Sequence, residues 1–181
     1  RQESIYLTHY GAVAMSQALP WNSEVAYAIR DVNVNNTRNI ATYDALNVAE
    51  SIDDVEAAIS MQGVPWTNTI AADRHGTAFY ADISVTPNVD AELLGRCRVQ
   101  VKNLPARIVV LNGADPECEW KVDDRSAVAG ALPAEEMPWI RLNDYVTNST
   151  DSYCLANPDE PLKGYSSLID PERPARTLRT R

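Results

Sequence analysis

Three of the four tryptophans follow a proline: Pro20-Trp21, Pro65-Trp66 and Pro138-Trp139. Proline fixes its own φ and holds the preceding residue extended, so each pair delivers an indole at a set angle. Such rings anchor a core or a loop. Trp66, between a helix end and a strand start, could also wall an apolar ligand pocket. Residues for acid–base or nucleophilic work are sparser. The histidines are His9 and His75, and no Gly-x-Ser-x-Gly elbow occurs, so a Ser-His-Asp triad cannot be assembled from the sequence. His75 sits in Asp73-Arg74-His75-Gly76, which reads as a turn. Asp53-Asp54, Asp123-Asp124 and Glu135-Glu136 read as solvated pairs. Cys97, Cys118 and Cys154 contain no Cys-x-x-Cys spacing, so no metal site is expected. Their odd count permits at most one intrachain bridge. Cys97 and Cys118 flank a proline-containing stretch and could pair, a gain of roughly 3 kcal/mol. On the residues alone, three reduced and buried cysteines are the favoured reading. Asn35-Asn36-Thr37 and Asn148-Ser149-Thr150 fit the N-glycosylation pattern, which many unmodified chains also fit.

These residues need elements to position them. Ser4–Met15 reads as a strand bent at Gly11, and Val25–Asp31 as a second strand. Ile40, Tyr43, Ala45, Leu46 and Val48 recur at helical spacing, predicting a helix over Ile40–Ala49 with Asn39 as its cap. Ser51 stands three residues before Asp54, a capping-box arrangement, and Ile52, Val55 and Ile59 mark one face of a helix over Ser51–Met61. Gly63-Val64-Pro65 stops it. Thr69–Ala72 and Thr77–Ala81 predict a hairpin, with Gly76 free to take the positive φ its turn needs. Asp90–Leu94 reads as a short helix, Arg107–Leu111 as a short buried strand, and Pro133–Met137 as one helical turn. Asp144–Tyr153 reads as a strand leading into a polar bend. Val25–Asp31 should neighbour the hairpin strands, with both helices covering the sheet. The class is α+β, with antiparallel sheets and helices on a face.

Composition bounds the function. The chain has 181 residues, 45% apolar and 23% charged, enough to bury a core. Lys plus Arg number 16 against 25 Asp plus Glu, a net charge of −9 that repels phosphate backbones, so a nucleic-acid partner is not expected. No apolar run approaches the roughly 18 residues of a membrane span. Arg1-Gln2-Glu3-Ser4 is not a signal peptide. With no starting Met and with Arg173, Arg176, Arg179 and Arg181 crowded at the end, the chain reads as an internal segment of a longer protein. On the residues alone, an enzyme, a binding module and a structural domain all stay open.

Ordered motifs narrow this. They are Tyr10-Gly11 with Trp21-Asn22; Ala26-Tyr27-Ala28-Ile29-Arg30-Asp31; Asn36-Thr37-Arg38; and Gln62-Gly63-Val64-Pro65-Trp66-Thr67-Asn68-Thr69 running into Ala71-Ala72-Asp73. Cys118-Glu119-Trp120, Asp144-Tyr145-Val146 with Asn148-Ser149, Asp151-Ser152-Tyr153 with Asn157-Pro158, Gly164-Tyr165-Ser166 and Leu178-Arg179-Thr180-Arg181 follow. In this order they resemble the β-subunit of the penicillin acylase family, nearest its aculeacin A acylase and acyl-homoserine-lactone acylase branch, along nearly the whole chain.

The resemblance implies an N-terminal-nucleophile hydrolase with a four-layer αββα sandwich, antiparallel sheets inside and helices outside. Residues 1–181 would be an internal segment of the β-subunit catalytic domain. The nucleophilic serine would lie upstream, outside this chain. The partners implied are an α-subunit from the same precursor and an N-acyl substrate: an acyl-homoserine lactone, a lipopeptide or a penicillin-like amide. No cofactor is implied, and the compartment is periplasmic or extracellular. Trp66 and Tyr43 fall on positions lining the acyl pocket, and Arg179 on an arginine supporting the active site. Thr150 stands where the family's Asn-Ser-Asn-Asp motif has its oxyanion-hole asparagine, and Cys154 replaces a usual tryptophan. Export favours disulfides, and Cys97 and Cys118 match paired cysteines of relatives, so that bridge is expected with Cys154 free. Thr150 also favours an alternative, a catalytically degenerate acyl-ligand binding protein of the same fold.

Overall fold

A computed structural model describes residues 4–105 and 107–173. Among them the order is β1 (Leu7–Thr8), β2 (Gly11–Ala14), β3 (Tyr27–Ala28), α1 (Asn39–Asn47), α2 (Ile52–Ser60), β4 (Thr69–Ala72), β5 (Ala78–Ala81), α3 (Ala91–Cys97) and β6 (Trp139–Leu142). Two three-stranded antiparallel sheets, β1-β2-β3 and β4-β5-β6, place the chain in the α+β class. The chain divides into two compact units, one of residues 1–34 and 90–119, the other of 35–89 and 120–181.

The larger unit is built around β5, which pairs with β4 on one side (Thr69↔Ala81 to Ala72↔Ala78) and β6 on the other (Ala78↔Leu142 to Ala81↔Trp139). The expected hairpin forms. Asp73 Oδ1 accepts from the backbone N–H of His75 (2.8 Å) and Thr77 (3.0 Å), and Gly76 takes φ 93°. His75 is an exposed turn residue. Alternation along β5 sends Phe79 and Ala81 to one face and Tyr80 to the other. Phe79 and Ala81 join Ile52, Ile59, Ile83, Leu132, Ala134 and Met137 in a core cluster, with Leu46 and Val55 packed against it. Helix α2 therefore packs on this sheet as its periodicity predicts, whereas α1 lies against α2 and reaches the cluster only through Leu46. Tyr80 instead packs with Tyr153, Cys154, Leu155 and Ala156. Each sheet face is thus buried, which explains why β5 is apolar throughout.

Ser51 caps α2 by accepting from Asp54 N–H at 3.1 Å. Asp54 Oδ2 takes the Ser51 hydroxyl at 2.7 Å and the N–H of Glu50 at 3.1 Å, one residue outside the usual box. These bonds, the serine's first, hold the Asp54 carboxyl below its ordinary range. Helix α1 begins at Asn39 itself, with Arg38 before it and no side-chain cap. Its buried residue is Thr42, while Ile40, Tyr43 and Val48 are exposed.

In the smaller unit the expected bent strand over Ser4–Met15 is a tight hairpin, Thr8 pairing with Gly11 and Leu7 with Ala12. Gly11 has φ 141°, and a Cβ there would stand 2.1 Å from the Ile29 carbonyl oxygen, so the bend needs glycine. Val25–Asp31 contributes only Tyr27–Ala28, paired with Val13 and Ala14 of β2. It is no neighbour of the β4–β5 hairpin, because the two segments belong to different sheets. Tyr10 Oη approaches Glu119 Oε1 at 2.6 Å, and Arg30 meets the same carboxylate at 2.7 Å, holding it below the ordinary Glu range. Asp90 caps α3 through Leu93 N–H at 2.9 Å, and Cys97 at its end bridges Cys118, as the resemblance implied.

Two expected strands do not form. Arg107–Leu111 keeps a single bridge, Leu111 to Arg98, and Ile108 is 46% exposed. A run of four apolar residues is too short to define a strand without a partner ladder. Asp144–Tyr153 is irregular, because its amides and carbonyls bond locally: Thr147 N–H donates to Ala156 O at 2.7 Å, closing a loop rather than a sheet. Pro133–Met137 does make a single turn, a 3₁₀ turn over Ala134–Glu136.

Candidate functional site

The residues singled out in the larger unit are carried by three pieces: the first turns of α1, the connection from α2 to β4, and the 147–152 loop. Helix α1 and the connection meet at Gly63. A Cβ on Gly63 would fall 2.1 Å from Thr42 Oγ1 and 2.6 Å from the Arg38 carbonyl, so only glycine allows this approach. Tyr43 follows Thr42 by one residue, and Trp66 follows Gly63 by three. The joint therefore holds the supports of both aromatic rings. Both are largely solvent-facing, Trp66 at 78% and Tyr43 at 50%. Trp66 lies in the left-handed region at φ 61°, as does Gln62 at φ 52°.

The connection runs on to Asn68, whose Nδ2 donates to Asn148 Oδ1 at 3.1 Å. The same oxygen accepts the Thr150 N–H at 3.0 Å. One asparagine side chain thus ties the segment bearing Trp66 to the loop bearing Thr150, across a sequence separation of about eighty residues. Asn148 Nδ2 keeps no partner among the described residues. Thr150 is exposed and left-handed, φ 58°. That is an uncommon setting for a β-branched side chain and a common one for asparagine. Its own N–H is already engaged, so it cannot also serve as an anion donor without breaking that turn. Arg179 lies outside the described residues.

Beside this loop is a cleft of about 10 Å³, room for roughly one water, lined by Tyr80, Thr147, Asn148, Ser149, Asp151 and Ser152 among others. Neither Trp66 nor Tyr43 lines it. It is polar and far too small for an acyl chain. Beneath it the buried Tyr80 hydroxyl is pushed well above its ordinary pKa, first by burial and then by Asp82. Asp82 is raised to about 6, chiefly by burial and then by the Asp170 carboxylate. Cys154 is free and buried, its Sγ 3.3 Å from Ser152 Oγ and 3.2 Å from the Arg173 carbonyl. No group of His, Cys, Asp and Glu among the described residues is placed to hold a metal ion. No helix among them is long and apolar enough to cross a membrane.

Sequence reasoning did not single out Asn68 or Gln62 as working residues, although both lie within the quoted motifs; Asn148 entered it as a donor that could stand in for Thr150, not as the tie to Asn68. A sharper signal was present for Gln62: an amide side chain directly before a glycine that ends an amphipathic helix. The Asp82–Asp170 pairing had none, since the two are far apart in sequence.

The whole chain, residues 1–181, matches the family described as Penicillin amidase. Among curated relatives, the acyl-homoserine lactone acylase PvdQ of Pseudomonas putida KT2440 is 37% identical over 170 residues, 93% of this chain and 22% of that protein. The enzyme of the same name from Pseudomonas fluorescens Pf0-1 is 35% identical over 179 residues, 98% and 23% of the two chains. Aculeacin-A acylase of Actinoplanes utahensis is 37% identical over 179 residues, 96% and 23%. The chain thus spans less than a quarter of the length of these relatives.

Proposed function

The chain belongs to the penicillin amidase family, and from that premise we propose that it is a β-subunit segment of an amide hydrolase acting on an N-acyl substrate. The substrate class is an acyl-homoserine lactone, a lipopeptide or a penicillin-like amide; the first is the substrate in the name of the PvdQ relatives, and another relative is named an aculeacin-A acylase. The complete protein is an N-terminal-nucleophile hydrolase with a four-layer αββα sandwich, to which this segment contributes sheet and helix. An α-subunit from the same precursor completes it, in the periplasm or outside the cell. The Cys97–Cys118 bridge supports an oxidising compartment.

The chemistry begins on a serine upstream of this chain. Its hydroxyl attacks the substrate's amide carbonyl, with its own α-amine, of pKa about 7.7–8.0, taking the proton. The amine product leaves with that proton, an acyl-enzyme remains, and water releases the acid. Within this segment Trp66 and Tyr43 wall the acyl chain, Thr150 stands at the oxyanion position, and Arg179 supports the site.

The observation that carries this reading is the match of the whole chain, residues 1–181, to the penicillin amidase family; the Asn68–Asn148 bond, which joins the Trp66 segment to the Thr150 loop, is in keeping with the roles proposed for those two residues. The test is hydrolysis of N-acyl-homoserine lactones by the complete, processed protein, following released homoserine lactone, with the nucleophile variant as control. No release above that control would sink the hydrolase reading. Thr150 favours the second reading, an acyl-ligand binding protein without turnover, since a threonine stands where the family's motif has its oxyanion-hole asparagine. Saturable binding of the lactone with no release would establish it.

A further inference from the structure

We propose that Gln62 is the positioning residue for Trp66, and through it a determinant of which acyl chains the site accepts; this rests on the reading of Trp66 as a wall of the acyl pocket. A ring that is 78% exposed is not held by packing within this segment, so its place is inherited from its backbone. That backbone is left-handed at φ 61°, a conformation a bulky residue keeps only when its surroundings over-determine it.

Gln62 supplies the over-determination. It is fully buried and itself left-handed at φ 52°. Its Nε2 donates to the Ser84 carbonyl at 3.0 Å and the Leu132 carbonyl at 2.9 Å, using both of its hydrogens. Its Oε1 faces the Ala127 N–H at 3.4 Å. Its own carbonyl receives Asn36 Nδ2 at 3.0 Å and Arg38 Nη2 at 3.1 Å, while Arg38 Nε donates to the Met61 carbonyl at 2.9 Å. One residue is thereby cross-linked to three separate stretches of chain, around 36–38, 84 and 127–132. Gly63 follows, pressed against Arg38 and Thr42. Downstream, Asn68 is tied to Asn148. Only Val64, Pro65, Trp66 and Thr67 lie between the two fixed points, and Pro65 has its φ locked. The clamp and the tie leave the indole little choice of direction. An apolar side chain of similar volume at 62 would strip the Ser84 and Leu132 carbonyls of their donors, and such buried groups do not stay unpaired. The connection would shift, and Trp66 with it.

The test uses the complete, processed protein and two substrates, a short-chain and a long-chain N-acyl-homoserine lactone, with kcat and KM measured separately. Trp66→Ala, Gln62→Leu and the double variant are compared. Misplacing a binding group by about 1 Å can cost up to about a hundredfold, so Gln62→Leu is expected to lower the long-to-short ratio of kcat/KM by about tenfold. The loss should fall on the long-chain KM, with short-chain kcat nearly unchanged. In the double variant the ratio should fall no further than in Trp66→Ala alone, because both changes remove one interaction. Equal losses for both substrates, or losses that add to those of Trp66→Ala, would overturn the clamp. If Trp66→Ala itself discriminates between the substrates while Gln62→Leu does not, the clamp fails and the pocket reading survives. If Trp66→Ala is indifferent to chain length, the pocket reading fails and takes the clamp with it. Should Gln62→Leu not accumulate as folded protein, Asn36→Ala decides. It removes one bond from the Gln62 carbonyl and should move the ratio about threefold in the same direction; no movement refutes the proposal.

Discussion

Thr150→Asn is the substitution on which the site and the backbone both speak. Acyl transfer builds negative charge on the carbonyl oxygen, and fixed donors must stand about 2.7–3.1 Å from it. Threonine offers one rotatable hydroxyl on a short, branched stem, whereas asparagine reaches farther with two N–H donors. One missing donor costs about 10²–10³ in kcat. The backbone adds a second effect. Thr150 sits at φ 58°, where an L-residue is strained by roughly 1–2 kcal/mol and asparagine is well tolerated. Thr150→Asn should therefore raise kcat by about 10²–10³ with little change in KM. It should also raise stability by about 1 kcal/mol, read as a shift in the denaturant midpoint at constant m. Thr150→Gly separates the two effects. It relieves the φ strain, less glycine's own unfolded-chain entropy, and adds no donor, so kcat should stay low. Compensation by Asn148 is the rival account, since its Nδ2 is unpartnered among the described residues. Family-typical turnover in the natural protein, no gain from Thr150→Asn, and a large kcat loss from Asn148→Ala would together refute the argument.

Thiol counting on denatured, unreduced protein should find one reactive group, Cys154, and reduction of the Cys97–Cys118 bridge should lower stability by roughly 3 kcal/mol for a separation of 21 residues; three thiols would exclude the bridge. Trp66→Ala in the complete enzyme should hurt long acyl chains most, by about 0.8 kcal/mol per methylene no longer covered, or roughly fourfold in kcat/KM each; equal losses for acetyl and long-chain substrates would count against the pocket. Asp82, raised from 3.8 to about 6 by burial and then by Asp170, holds its proton in the folded state after the unfolded chain has released it. Stability should therefore fall as pH rises from about 4 to about 6, by up to roughly 3 kcal/mol, and level off above. Asp82→Asn should remove that fall and stabilise the protein at neutral pH; an unchanged midpoint-against-pH curve would show Asp82 to be solvated.

Local signals were legible wherever they act over a few residues. The Ser51–Asp54 cap, the Ile52, Val55 and Ile59 stripe, the Asp73–Gly76 turn and its flanking strands were all readable, because each is stabilised by neighbours within a turn or a hairpin. The motif series, which is a property of order along the chain, sufficed to indicate the family and the Cys97–Cys118 pairing. Partnership between distant segments was not readable. Val25–Asp31 alternates as a strand should, yet alternation carries no information on which ladder it joins, and Gly11's close approach to Ile29 put it beside β2. Asp144–Tyr153 has strand-like residues, but the Thr147–Ala156 bond closed a loop instead. Ile40 and Tyr43 have helical spacing, yet α1 turns Thr42 inward, because Gly63 admits only a small neighbour there. At the site, the sequence by itself named Trp66, Tyr43, Thr150 and Arg179. Only the tertiary structure decided that Asn148 joins two of their supports, that Gln62 anchors one of them, and that Thr150 stands at positive φ. The first two depend on hydrogen bonds between residues about twenty to eighty positions apart, whose partners are selected by packing and leave no periodic trace in the chain; the third goes with a bond from Thr150 N–H to Asn148 two residues before it.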